Sequence, residues 1–395
     1  MNTDNAYAEL IKLSREMSVL GSSLALLQWD AEIVMPRGGV AHRGEQMALI
    51  AGLVHDRATD PHIAELLSEV EGTPLVADNE SPEAVNVREI RRDFDRETRL
   101  PRRLVEEMAR VSAMSSQAWS EARDADRFET FAPWLDQTFA LAREKADAIG
   151  YEGVRYDALL DDYEPGMTTE QLSSLFAQLG PALVPLVDAL RDRASNNSKA
   201  VERVLPVERQ RAFAEGIAAK VGFKMESGRF DLGPHPFCTH IGPGDVRIAS
   251  RYQPANFVNG FLGVMHETGH ALYEQGLDPT HYGTPMGDAV SLGIHESQSR
   301  MWENLVGRSH GFWLFVYPQL QAAFKEELGN VSLDDFRSTM NHVAPGLIRV
   351  EADEVTYNLH IVIRFELERA LLAGDLHAAD LPAAWAERYR HCLGV

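Results

Sequence analysis

Cysteine is almost missing from this chain: Cys238 and Cys392 are the only two in 395 residues. Two thiols exclude the multi-bridge framework of a small secreted domain and fit a reducing compartment, leaving room for one incidental disulfide. Long apolar runs are missing too. No stretch approaches the roughly 18 apolar residues of a membrane-spanning helix, and the start, MNTDNAYAELIKLSREMSVL, has no basic segment followed by an apolar one. Positive charge is in deficit: 38 Lys and Arg face 59 Asp and Glu, for a net charge of -21. Such a surface repels polyphosphate backbones and anionic bilayers, so neither nucleic acid nor a membrane is an expected partner. Low-complexity tracts and internal repeats are lacking as well. What remains, 45% hydrophobic and 25% charged, is an ordinary globular composition with length enough for a large core. A cytoplasmic enzyme is the expectation.

Apolar residues recur at three- and four-residue spacing over 40–55, 84–98, 103–123, 130–149 and 168–194, which predicts helices there. Pro36, Pro101, Pro165, Pro206 and Pro279 fall at the joints, where a residue without an N–H can start or stop a helix. Thr168, followed by Glu170 and Gln171, reads as a capped helix start. The texture changes in RFDLGPHPFCTHIGPGDVRIASRY. Phe230 with Leu232, and Val246 with Ile248, alternate around Gly-Pro turns, which predicts a hairpin or small sheet near 228–252. From Pro254 the helical period returns. No Gly/Ser linker parts a helical portion, 1–225, from the remainder, 226–395, so one mainly α, multi-helix catalytic domain is expected over 1–395.

The segment NFVNGFLGVMHETGHALYEQ, 256–275, is a predicted helix stopped by Gly276, and it carries HETGH, the HExxH pattern. Two imidazoles four residues apart, His266 and His270, share a helix face and can chelate one ion. Glu267 can then reach the water on that ion as general base. With 14 histidines in the chain, chance supplies this pattern roughly 0.02 times. Two satisfied interior histidines are the bland alternative. A catalytic zinc site needs a third protein ligand and an open position. Metzincins place Gly and His three and six residues after the second histidine; Tyr273 and Gly276 stand there instead, which excludes that class. A second predicted helix, AVSLGIHESQSRMWENL at 289–305, offers His295 and Glu296. Neighbours on a helix diverge by about 100°, so only one of them can face the ion. The precedent of His2Glu hydrolases selects Glu296, whose alternative is an ion pair with Arg300 one turn on.

Beyond HETGH the chain holds LLQWDAEIVMPRGG with Arg43 and Gln46, YDALLDDYEPGM at 156–167, HPF at 235–237, DVRIASRY at 245–252, HESQSR at 295–300 and IRVEADEVTYNLH at 348–360. In this order, and over nearly the whole length, these segments resemble the carboxypeptidase Taq family of thermostable metallocarboxypeptidases. The resemblance implies metal-dependent release of C-terminal residues from peptides, with broad specificity, by a helical homodimer whose active site lies in a long cleft. It also implies His266, His270 and Glu296 as ligands of zinc, replaceable by cobalt or manganese, and Glu267 as catalytic base.

Arg349 matches a substrate-binding position of the family, and a guanidinium suits a terminal carboxylate through two parallel hydrogen bonds. A surface ion pair with Glu351 or Asp353 is its alternative. His235, between two prolines, is a candidate for holding substrate or the oxyanion of the scissile carbonyl, or for ordering its own loop. Arg247 and Tyr252 are candidates to line the same wall, and Tyr357 and His360 to serve as oxyanion or proton donors. Packing is the competing role of all four. Trp29, Asp30, Met35 and the acidic YDALLDDYEPG read as scaffold. The family pattern includes a further helical segment with a Gln-Asp-x-His-Trp-like motif that this sequence, to HCLGV, does not contain, so an incomplete substrate pocket is expected. Two other readings remain: an endopeptidase or dipeptidase of a related helical HExxH class, and a truncated, inactive homologue that holds metal or peptide without turnover.

Overall fold

Amphipathic spacing and well-placed caps make the chain helical almost throughout. The computed structural model describes residues 2–191 and 203–395, so the last three residues of the predicted helix 168–194 lie outside the described residues. Two compact units emerge: Met1–Glu164 with Thr239–Arg247 and Tyr273–Ile294, and Pro165–Cys238 with Ile248–Leu272 and His295–Val395.

The first unit holds α1 (Thr3–Ile33), α2 (Val40–Ala58), α3 (Pro61–Val70), α4 (Pro82–Glu97), α5 (Arg102–Asp124), α6 (Ala132–Ile149) and α7 (Arg155–Leu160). Side-chain caps start several of them: Asn2 accepts from Asp4 N, Asp60 from His62 N, and Ser81 from Ala84 N. Pro61 and Pro82 occupy first-turn positions, where a missing N–H costs nothing. Leu10 of α1, Leu66, Leu67 and Val70 of α3, and Ile90 of α4 form one buried cluster, each worth about 1.5–3 kcal/mol of burial. The acidic stretch after α7 is scaffold: Asp161 accepts from Arg92 at 2.6 Å and from Arg96 at 2.7 Å, while Asp162 takes Lys145 at 2.6 Å.

The second unit holds α8 (Thr169–Arg191), α9 (Val207–Lys220), α12 (His310–Ala323), α13 (Lys325–Leu328), α14 (Leu333–Met340), α15 (Tyr357–Ala373) and α16 (Leu381–Leu393). Thr168 caps α8 as expected: its Oγ1 accepts from Gln171 N at 3.3 Å, and Gln171 Oε1 accepts from Thr168 N at 2.9 Å. By length and composition α8 is the one helix among the described residues able to cross a membrane, with Pro181 and Pro185 inside it. Counting unbroken apolar runs passes over it, because polar residues interrupt a window that is apolar on average. Its Leu183, Val184 and Val187 pack onto Leu359 and Ile363 of α15.

Two further helices, α10 (Phe257–Gly276) and α11 (Leu292–Arg300), follow a three-stranded sheet. The strands are β1 (Gly228–Leu232), β2 (Phe237–Gly242) and β3 (Asp245–Ser250), in the order β1-β3-β2. The predicted alternating pairs lie on β1 and β3, neighbours in this sheet. The hairpin turn between β2 and β3 passes through Gly244 at φ 80°, a left-handed conformation that favours glycine.

Candidate metal centre

One side of α10 is anchored in an aromatic core. Phe257, Phe261, Val264 and Met265 are no more than 2% exposed, and Phe261 lies 5.6 Å from the Phe257 ring and 5.3 Å from the Trp313 ring. Burying that side leaves His266 and His270 on another, one turn apart, with ring centroids separated by 5.0 Å. Ser291 Oγ accepts from Ile294 N at 3.0 Å, which starts α11 three residues later than the predicted 289.

The two helices touch backbone to backbone. A Cβ on Gly269 would lie 2.6 Å from Ser299 Cα and 2.7 Å from Gln298 O, so only glycine fits between the two histidines' turns. That approach brings Glu296 Oε2 to 3.5 Å from His266 Nε2 and 3.2 Å from His270 Nε2. Ser299 Oγ donates to the same oxygen at 2.8 Å. His295 points elsewhere, its ring stacked on His270 at 4.5 Å and 18°. The three donor atoms lie within 4.8 Å of one another. Tetrahedral donors around zinc, each about 2.1 Å from it, stand about 3.4 Å apart, so the observed spacing suits a divalent ion. Glu296 remains 42% exposed, which lets solvent reach that side.

The electrostatics differ sharply between Glu296 and Glu267. Burial raises Glu296, but its hydrogen bonds with His270 and Ser299 and the nearby His266 outweigh that and hold it at about 2. Glu267 is only 5% exposed; burial, with Glu296 and Glu303 nearby, outweighs His266 and pushes it up to about 7. Burial pulls His270 down, while acidic neighbours overcome burial at His266 and raise it.

A family model described as carboxypeptidase Taq (M32) metallopeptidase matches residues 9–395. The chain belongs to this family. It is 49% identical to thermostable carboxypeptidase 1 of Thermus thermophilus, a match that spans 100% of this chain and 79% of that protein. With carboxypeptidase 1 of Bacillus subtilis the identity is 33%, over 98% of this chain and 77% of that one. The crystal structure of the M32 carboxypeptidase from Deinococcus radiodurans R1 matches with a TM-score of 0.89 at 40% identity, over 99% and 78% of the two chains. Membership of the M32 family implies a divalent metal, and His266, His270 and Glu296 form the one group suited to it among the described residues.

One carboxylate of this M32 chain escaped sequence reasoning. Glu303 Oε2 lies 2.8 Å from His266 Nδ1 and accepts from Arg300 Nη1 at 2.8 Å. Arg300, whose pairing with Glu296 was only the alternative to a metal role for that carboxylate, clamps Glu303 and lies 3.8 Å from the Tyr357 ring centroid. Tyr357 Oη in turn accepts from Arg349 Nη1 at 2.7 Å. The available signal was spacing, since Glu303 follows Glu296 by seven residues, two helical turns.

Neither suggested carboxylate pairs with Arg349. Glu351 takes Arg251 at 3.1 Å, and Asp353 accepts from Ala344 N, Val355 N and Thr356 N. The other candidates are engaged locally. His235 is exposed, with Nδ1 2.6 Å from Pro236 O in its own loop. Arg247 donates two bonds to Asp245, at 2.8 and 2.7 Å, and its guanidinium lies 4.3 Å from the Trp29 ring centroid. Tyr252 is half-buried, its hydroxyl pushed up by burial and by Glu215. His360 is fully buried, Nδ1 2.8 Å from Tyr389 Oη.

Proposed function

We propose that this M32 chain is a metal-dependent carboxypeptidase that hydrolyses C-terminal residues from peptides, with broad specificity, as one catalytic domain. The observation that carries the reading is the meeting of two Nε2 atoms and one carboxylate oxygen at 3.2–3.5 Å, with Glu267 beside them on the same helix. His266, His270 and Glu296 would hold the metal, which we take to be zinc, with cobalt or manganese able to replace it. When bound, such an ion polarises the scissile carbonyl and lowers the pKa of water.

The chain's own groups do the rest. Glu267 takes the proton of the attacking water and delivers it to the leaving amine. Arg349, with no carboxylate in ion-pair range among the described residues, keeps donors free for the substrate's terminal carboxylate. Tyr357, held by Arg349, is the group we assign to bond the carbonyl oxygen as negative charge grows. His235, Arg247, Tyr252 and His360 take no part in this scheme.

The deficit of positive charge supports a protein that associates with neither nucleic acid nor anionic membranes. We place it in the cytoplasm, as a homodimer. The deciding experiment offers metal-reconstituted protein an N-blocked peptide as free acid and as C-terminal amide. The acid alone should be cleaved. Equal cleavage of both would make it an endopeptidase, and stoichiometric metal without hydrolysis would make it a binding homologue.

A further inference from the structure

Glu303 sits where the helix is wound differently. After Arg300, α11 continues into a π-helical turn, Met301–Val306, closed by a bond from Gly307 N to Trp302 O at 2.8 Å, five residues back. Such turns are unfavourable on their own and recur at functional sites. This one is locked in place. A Cβ on Gly307 would meet Glu303 O at 2.7 Å and Trp302 O at 3.0 Å. Gly307 O accepts from Trp313 Nε1 at 2.7 Å, and Trp313 is fully buried. The Glu303 side chain is 12% exposed. A charge so nearly buried is tolerable only with partners, and it has two, His266 Nδ1 and Arg300 Nη1.

We infer that Glu303 is a positioning residue of the metal centre: by accepting the Nδ1 hydrogen of His266 it fixes the tautomer and ring orientation that present Nε2 beside Glu296. This rests on the reading of His266 as a metal ligand. A neutral imidazole carries one N–H; placing it on Nδ1 leaves the Nε2 lone pair for the ion. Arg300, between the carboxylate and the Tyr357 ring, keeps Glu303 in that rotamer. His270 is set by another device. Its Nδ1 is buried without a hydrogen-bond partner among the described residues, and its ring is stacked on His295. Glu303 therefore acts on one ligand only.

The test measures zinc affinity by competition with a chromogenic chelator, and the visible absorption of the cobalt-substituted protein, for wild type, Glu303→Gln and Glu303→Ala. The alanine variant should bind zinc roughly 10–100-fold more weakly, with a changed cobalt spectrum. The glutamine variant should fall between, because its carbonyl still accepts the Nδ1 hydrogen while the charge is lost. That graded rescue is not expected of a residue that merely supports the fold. Wild-type affinity and spectrum in both variants would overturn the inference while leaving the metal reading intact. If the alanine variant does not fold, the glutamine variant decides: wild-type behaviour there overturns the inference, weakened zinc binding upholds it. A wild-type protein that takes up no stoichiometric zinc overturns the metal reading itself, and the inference with it.

Discussion

At the scale of the residue, two buried titrating groups have opposite consequences. Glu267 must be ionised to accept a proton, and in the metal-free centre burial pushes it up to about 7. A divalent cation beside it favours the charged form, so the acid limb of kcat/KM should lie at or below pH 7. Glu267→Gln should lower turnover by roughly 10²–10⁴-fold with metal content unchanged; appreciable activity in that variant would remove Glu267 from its role. His360 is depressed to about 4 by burial, then by Arg364 and Arg349. A histidine with a folded pKa below its unfolded value adds stability above about 6.5, and loses it as pH falls toward 4. His360→Asn, whose Oδ1 can replace Nδ1 toward Tyr389, should therefore lose less stability than wild type between pH 7 and pH 4. The difference is at most about 3 kcal/mol. Urea unfolding at the two pH values reads it directly, and parallel losses in both proteins would refute the assignment.

At the scale of the element, the centre depends on how closely α10 and α11 approach. Gly269→Ala would put a methyl group 2.6 Å from Ser299 Cα, and backbone atoms cannot swing aside. The helices must separate, which costs about 1–3 kcal/mol and draws Glu296 away from both Nε2 atoms. Zinc affinity should fall along with the melting temperature; unchanged affinity would show that the contact does not set the ligand geometry. This level also shows what patterning reveals. HETGH is legible because i and i+4 share a face, and Glu296 follows from the need for a third ligand. The capped start at Thr168 and the proline joints are legible through local rules. Helix α1 was not singled out, since only Ala6, Leu10 and Trp29 of its 31 residues are buried and its stripe is faint. Strand β2 shows no alternation because every residue in it is half-buried. Glu303 was missed, although it stands seven residues after Glu296, because its partner His266 lies 37 residues away on another helix.

At the scale of the whole molecule, the proposed ligands, base and clamp all belong to the unit comprising Pro165–Cys238, Ile248–Leu272 and His295–Val395. Composition set the class and the net charge, and the helical period set the architecture. Neither reports which side chains 30 or more residues apart converge, such as Arg300 with Tyr357 or His266 with Glu303. Glu296 and Glu303 both raise Glu267, so the metal-free centre holds acids that disfavour one another's charge. An ion that binds only the folded state offsets this, by about 4 kcal/mol at a free concentration a thousand times Kd. Chelation should accordingly lower the melting temperature, and zinc should restore it. Glu267→Gln separates the two contributions. A folded pKa raised to about 7 means that Glu267 costs stability as pH climbs from its unfolded value through 7, and none below that range. Without metal at pH 8, the glutamine variant should thus melt above wild type, and the gap should close by pH 4. A variant that melts below metal-free wild type at pH 8 would mean that the buried carboxylate is not a source of strain in this site.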